Sequence, residues 1–300
     1  MKPDNYPQPL RRVTGGPGGE AVLIMGSRKT ALHDCGMACF KDRLIENIRK
    51  ELGERNLDYI LLSHSHYDHM GALPYLLEIW PEAKVCAGLK ASKVFQSQGA
   101  RATIESMGRT AAEYYGMNPE SITAEGLRVD VVLENGHIIQ LGDEEILAME
   151  TKGHTDCSMS YFIQPQGILL ASESTGALEL SGKLHTSALK SFDQSLESAF
   201  FLKLLPYRYI LIPHYGILPR EMNDSYFDMY AEEAIREKNL IEGWIKEGLT
   251  EEEIFEKHKE LYWNDIRAVN HPYRAYKMNT DIIIKRMIKE AAAHMTVNSR

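Results

Sequence analysis

The chain has 300 residues and a formal net charge of −8, enough for one large domain or a domain with an appendage. No apolar run approaches the roughly 20 residues that cross a bilayer, and Met1 to Pro7 lack the apolar centre of a signal peptide, so a cytoplasmic protein is expected. The acidic balance counts against a nucleic-acid partner, which a basic face would serve, and Cys35, Cys39, Cys86 and Cys157 have no secreted-type spacing and read as free thiols.

Residues 1–12 carry three prolines and read as an irregular arm. Gly15-Gly16-Pro17-Gly18-Gly19 is a turn without the Lys-Ser/Thr of a phosphate loop. A hairpin follows, with strands over 21–25 and Thr30–His33, and Asp34-Cys35-Gly36 closes it. Residues 43–54 place Leu44, Ile45, Ile48 and Leu52 on one helical stripe. An apolar strand over 59–62 then runs into Ser63-His64-Ser65-His66-Tyr67-Asp68-His69. Three imidazoles and one carboxylate fall within six residues, and these ligand types suit zinc, while imidazole also suits iron. If the chain stays extended past Leu62, His64 and His66 point to the same side. Asp68 and His69 come where the chain turns into a helix, so one pair can hold one metal and the next pair a second metal nearby.

A short helix containing Pro74 is stopped by Pro81, a strand covers 83–87, and residues 90–116 read as helical. Asn135-Gly136 suits a type I′ turn, so 128–133 and 137–140 read as a hairpin with His137 on its surface. Strand Glu145–Glu150 leads into Gly153-His154-Thr155-Asp156-Cys157-Ser158. A hairpin over 159–163 and 167–171 ends in Ala171-Ser172-Glu173-Ser174. His185 reads as a solvent-exposed loop histidine or a cleft residue. A helix over 191–205 turns Phe192, Leu196, Ala199, Phe200 and Leu204 inward. Strand Tyr209–Ile212 leads to Pro213-His214-Tyr215-Gly216. Beyond residue 217 no strand signal remains: helices are expected over 224–247, from the capping box Thr250-Glu251-Glu252-Glu253 to about residue 263, and from Asn279 onward. Arg267, His271, Tyr273, Arg274, Tyr276 and Lys277 form a basic, aromatic run that, folded back on the cleft, would hold an anionic substrate tail.

His-x-His-x-Asp-His resembles the signature of the metallo-β-lactamase-fold hydrolases. Gly153-His154-Thr155, Glu173 and Pro213-His214-Tyr215-Gly216 follow in the order of that pattern, over roughly residues 10–217. The chain departs from it at Lys152, where proline is frequent, at Cys157, where glycine is frequent, and at Ser172-Glu173, where Gly-Asp is usual. Cys157 is either near the metals or a small buried thiol. The resemblance implies an α/β (α+β) fold, a four-layer αββα sandwich over residues 1–217, with a helical C-terminal subdomain over 218–300 of the kind glyoxalase II carries over its cleft. It implies two divalent metal ions, zinc foremost and iron or manganese open. His64, His66 and His154 would bind the first, Asp68, His69 and His214 the second, and Glu173 would bridge; Asp34 would brace the loop. The activity implied is hydrolysis of a small ester, thioester or lactone by a metal-bridging hydroxide, with Asp68 and His214 at the reacting centre. Neither nucleic acid nor membrane is expected as a partner, and a homodimer is open. The alternatives are an iron-dependent redox enzyme, sulfur-dioxygenase-like or diiron, and a phosphodiesterase. The flavo-diiron pattern has glutamate where His66 stands, which argues against that branch. A regulator that keeps the fold with little turnover is a third reading.

Overall fold

The computed structural model describes residues 6–179 and 181–298; residues 1–5 of the expected N-terminal arm lie outside these. The first sheet runs in sequence order: β1 (Leu10–Arg12), β2 (Val22–Met25), β3 (Thr30–His33), β4 (Tyr59–Leu61), β5 (Lys84–Gly88) and β6 (Val131–Leu133). It is antiparallel through β3 and parallel from β3 to β6. The second sheet holds β7 (Ile138–Gln140), β8 (Glu145–Glu150), β9 (Met159–Gln164) and β10 (Ile168–Leu170). A small ribbon, β11 (Ala177–Leu178) with β12 (Leu184–His185), leaves it before β13 (Tyr209–Ile212) and β14 (Gly216–Ile217) complete it.

Alternation along the strands builds the layers. Val22, Ile24 and Ala31 face Tyr161, Ile163, Ile168, Leu170 and Leu211 between the sheets. Their neighbours Leu23 and Leu32 point the other way, onto α1 (Lys41–Leu52), α3 (Leu73–Ile79) and α4 (Leu89–Gln96); α2 (Tyr67–Met70) is a single turn between them. On the second sheet Phe162, Leu169, Ile210 and Ile212 point outward onto α6 (Phe192–Lys203) and onto α7 (Tyr226–Lys246), α8 (Glu251–Tyr262) and α10 (Tyr273–Asn298). The result is the expected αββα sandwich, and the C-terminal helices share a core with its second sheet. Among the described residues no helix is long and apolar enough to cross a membrane.

Several expectations are corrected. Leu10–Arg12 is a strand, because its backbone completes the edge of β2. The stretch 90–116 is two helices, α4 and α5 (Gln98–Tyr114), since Ser97 turns extended and its hydroxyl caps the second. The Asn135-Gly136 turn forms, with Gly136 at φ +90°, but it joins no hairpin: β6 pairs with β5 and β7 with β8, so the turn carries the chain from one sheet to the other. On α6, Phe200 and Leu204 are 51% and 84% exposed. The helix instead buries Ser195 and Ser198: the Ser198 hydroxyl donates to the Lys152 carbonyl at 2.8 Å, and Gly153 lies so close that a Cβ there would meet Ser195 Oγ at 2.1 Å. The apolar stripe Phe192, Ala199 and Leu202 and the contact with this loop together set the roll of the helix. The last helix begins at Tyr273, ahead of Asn279, and α9 (Asp265–Asn270) precedes it.

Candidate metal centre

The loops after β4, β8, β10 and β13 bring all seven expected ligand residues together. In each of three triads the potential ligand atoms lie within 4.8 Å of one another: His64, His66 and His154; Asp68, His69 and His214; and His64, His69 and Glu173. Glu173 is central. Its Oε2 is 3.3 Å from both His69 Nε2 and His154 Nε2, 3.6 Å from His214 Nε2 and 3.7 Å from His64 Nε2.

Neighbouring groups fix which ring nitrogen faces inward. Asp34 accepts from the Ser63 backbone N–H at 2.8 Å, the Ser63 hydroxyl at 2.7 Å and His69 Nδ1 at 2.8 Å. With its proton given to Asp34, the Ser63 hydroxyl accepts from His64 Nδ1 at 3.0 Å. One carboxylate therefore holds two imidazoles, directly and through a serine, with each Nε2 lone pair turned to the cluster. His154 Nδ1 donates to the Ser187 carbonyl at 2.7 Å, which frees its Nε2 in the same way. The Ser187 hydroxyl donates to Glu173 Oε1 at 3.1 Å. A chain of hydroxyls, Ser160, Thr151 and Ser172, ties the ends of β8, β9 and β10 under Glu173. Asp34, Ser187 and His214 have φ of +52°, +52° and +64°. Non-glycine residues rarely adopt this region, and such strain gathers at functional sites.

The cluster suits a cation. His64 Nε2 is buried without a hydrogen-bond partner among the described residues. His66 Nδ1 faces His154 Nε2 at 3.0 Å, and His69 Nε2 faces His214 Nε2 at 3.3 Å. Burial, reinforced by the adjacent imidazoles, holds His64 far below the ordinary histidine range and His66 down at about 4. Burial opposes the charge on Glu173 as well, but His154 and His214 outweigh it and keep the carboxyl ionised. Neutral imidazoles converging on carboxylates are a donor set for a divalent metal.

Sequence reasoning missed Ser187, which carries no motif. Arg267 and His271, named in the sequence for an anionic substrate tail, reach the cleft because α9 and the start of α10 lie over α5: the Tyr114 hydroxyl donates to the Ala268 carbonyl at 2.9 Å, and Arg274 to Thr110 Oγ1 at 2.9 Å. His185 is buried, contrary to the loop reading, against Glu179 and Arg267. Cys157 is a buried thiol beside Ser65 and Thr155 and joins none of the ligand triads.

A sandwich whose strand-end loops gather imidazoles and carboxylates in this way defines a metal-binding protein of the αββα class. The profile of the metallo-beta-lactamase superfamily matches residues 14–214, and the chain belongs to that superfamily. Over 137 residues it is 27% identical to a hydroxyacylglutathione hydrolase of Prochlorococcus marinus, a match covering 45% of this chain and 42% of that protein. Over 207 residues it is 23% identical to a nitric oxide reductase of Moorella thermoacetica, covering 68% and 44%. The chain thus spans less than half the length of these two relatives. Among solved structures it resembles an archaeal metallo-beta-lactamase superfamily protein of Sulfolobus tokodaii, with a TM-score of 0.59 and 21% identity over 77% of this chain and 95% of that one.

Proposed function

We propose that the protein hydrolyses a small ester, thioester or lactone with two divalent metal ions, zinc foremost. His64, His66 and His154 would hold one, Asp68, His69 and His214 the other, with Glu173 between them. The observation that carries this reading is the position of Glu173 Oε2, within hydrogen-bonding or near-contact range of four imidazole nitrogens from both triads. Ions bound there would supply a water activated at neutral pH and polarise the electrophile's oxygen. Asp68, half-buried at the cleft edge, is placed to orient that water. Asp34 and Ser63 take the Nδ1 side of His69 and His64, so that each Nε2 points at the ion site. The adjoining cavity of about 160 Å³ has Ile104, Met107, Ala275 and Met278 on its walls, which favours an apolar group in the substrate. The start of α10, within the C-terminal helical subdomain, would thus wall the cleft. The four cysteines are buried free thiols, in keeping with a reducing cytoplasm.

The test is a panel of esters, thioesters, lactones and a phosphodiester, assayed with zinc-loaded and chelated protein. The reading expects carbonyl-ester or thioester turnover that chelation abolishes. Turnover of the phosphodiester alone, or oxygen-dependent chemistry with iron alone, would replace it.

A further inference from the structure

Two cavities flank the metal centre, and Glu173 and His271 line both. The larger is the apolar one described above. The smaller, about 40 Å³, has Glu179, His185, Ser187 and Arg267 on its walls beside Ala177, Leu178 and Ile266. A water needs about 10–15 Å³ by the same measure, so a space of this size admits a group of a few heavy atoms.

Two buried nitrogens without partners among the described residues belong to residues lining it, Arg267 Nε and His271 Nε2. The rest of the guanidinium is anchored. Arg267 Nη1 donates to His185 Nδ1 at 2.7 Å and to the Tyr262 carbonyl at 3.1 Å, and the group lies over the Tyr276 ring at 4.8 Å. Glu179 does not occupy the free edge. It accepts from His185 Nε2, from the Ser181 hydroxyl at 2.7 Å and from Asn264 at 3.2 Å. His185 must therefore be neutral to accept from the arginine, and the fixed fork keeps one buried N–H unanswered. A buried donor without an acceptor is disfavoured by about 1–3 kcal/mol, more for a charged group.

We infer that the smaller cavity is a carboxylate subsite, in which Arg267 and His271 hold the carboxylate of a substrate whose apolar group fills the larger cavity and whose scissile bond lies between the two, at Glu173. This inference rests on the hydrolase reading above for the reaction, and on the two unanswered nitrogens for the ligand.

The test uses paired thioesters with free thiol as readout. S-hexanoyl thioglycolate and S-hexyl thiosuccinate place a carboxylate on opposite sides of the thioester, and each is compared with its neutral methyl ester. In at least one orientation the carboxylate form has the higher kcat/KM by about tenfold or more, the size of a hydrogen bond to a charged group. Arg267→Gln collapses the ratio toward one, and Arg267→Lys retains part of it. Binding is read separately in metal-free protein, where no ion can hold the carboxylate. The inert thioether S-hexyl thioglycolate shifts the side-chain Nε–H resonance of Arg267, identified by its loss in Arg267→Gln. Thioester turnover with equal rates for both members of each pair, and no shift, overturns the subsite and leaves the hydrolase reading standing. A shift without turnover of any thioester or ester overturns the hydrolase reading and leaves the subsite.

Discussion

His69 with Glu173 in the cleft and His258 with Glu237 beneath the C-terminal helices are both buried histidine–carboxylate pairs, yet they are completed differently. Around Glu237 every group is answered. His258 Nε2 donates to Glu237 Oε1 at 2.9 Å, His258 Nδ1 accepts from the Tyr276 hydroxyl at 2.8 Å, and the Thr186 hydroxyl donates to the other carboxylate oxygen. In the cleft, outer nitrogens are paired with Asp34, Ser63 and Ser187, while the inner nitrogens converge on one another and on Glu173. The difference separates a structural polar network from a metal centre: a matched set locks helices together, and a convergent, unmatched set leaves lone pairs for a cation.

That contrast can be broken most severely at the ligands. His66→Ala is expected to remove the first ion and lower turnover about a thousandfold or more, read as kcat with metal per chain; wild-type turnover would overturn the ligand assignment. Glu237→Ala strands His258 and Thr186 in the core and should cost about 3–5 kcal/mol in denaturant melts while leaving metal stoichiometry intact. Altered metal content in that variant would mean the two clusters are not independent.

The next effect is pH dependence beside the second cluster. Burial, and then the charge of Arg267, push His185 down to about 4. The unfolded chain therefore binds the proton first as the solution is acidified. The stability this residue contributes is full above its ordinary value near 6.5 and is lost as pH falls from there through 4, with a ceiling of about 3 kcal/mol. Metal-free protein melted across that range should show a slope to which the buried His64, His66 and His271 also contribute, and His185→Gln should reduce it by one proton's share; a slope left unchanged by that substitution would remove His185 from it. The smallest effect is expected at Asp34→Asn, which tolerates the left-handed backbone but cannot accept from both Ser63 and His69 as the carboxylate does. Metal affinity should fall about 10–100-fold, measured by competition with a chelator; undiminished affinity would remove Asp34 from its orienting role.

The layers and the clustering of the candidate ligands were legible in the sequence because both rest on local rules. Period-two apolar strands specify two buried sheet faces, and His64, His66, Asp68, His69, His154, Glu173 and His214 each end or follow a readable strand. Asp34 was legible for the same reason. What escaped depends on which distant element a local signal meets. Asn135-Gly136 specifies a turn and not the partner of β6. Ser195 and Ser198 face inward because the loop at Gly153 packs on the same side of the helix as the apolar stripe Phe192, Ala199 and Leu202. The run with Arg267 and His271 was read as a cleft element on condition that it folds back, and the closure of α9 and α10 on α5 meets that condition, whereas the positive φ of Ser187 leaves no mark in its residue type.

Metal content of the purified protein, by elemental analysis with stoichiometry, decides whether the histidine–carboxylate cluster holds a pair of ions. About two divalent ions per chain are expected, falling toward one in Glu173→Gln. Protein that holds none when purified with zinc, manganese and iron supplied would contradict this.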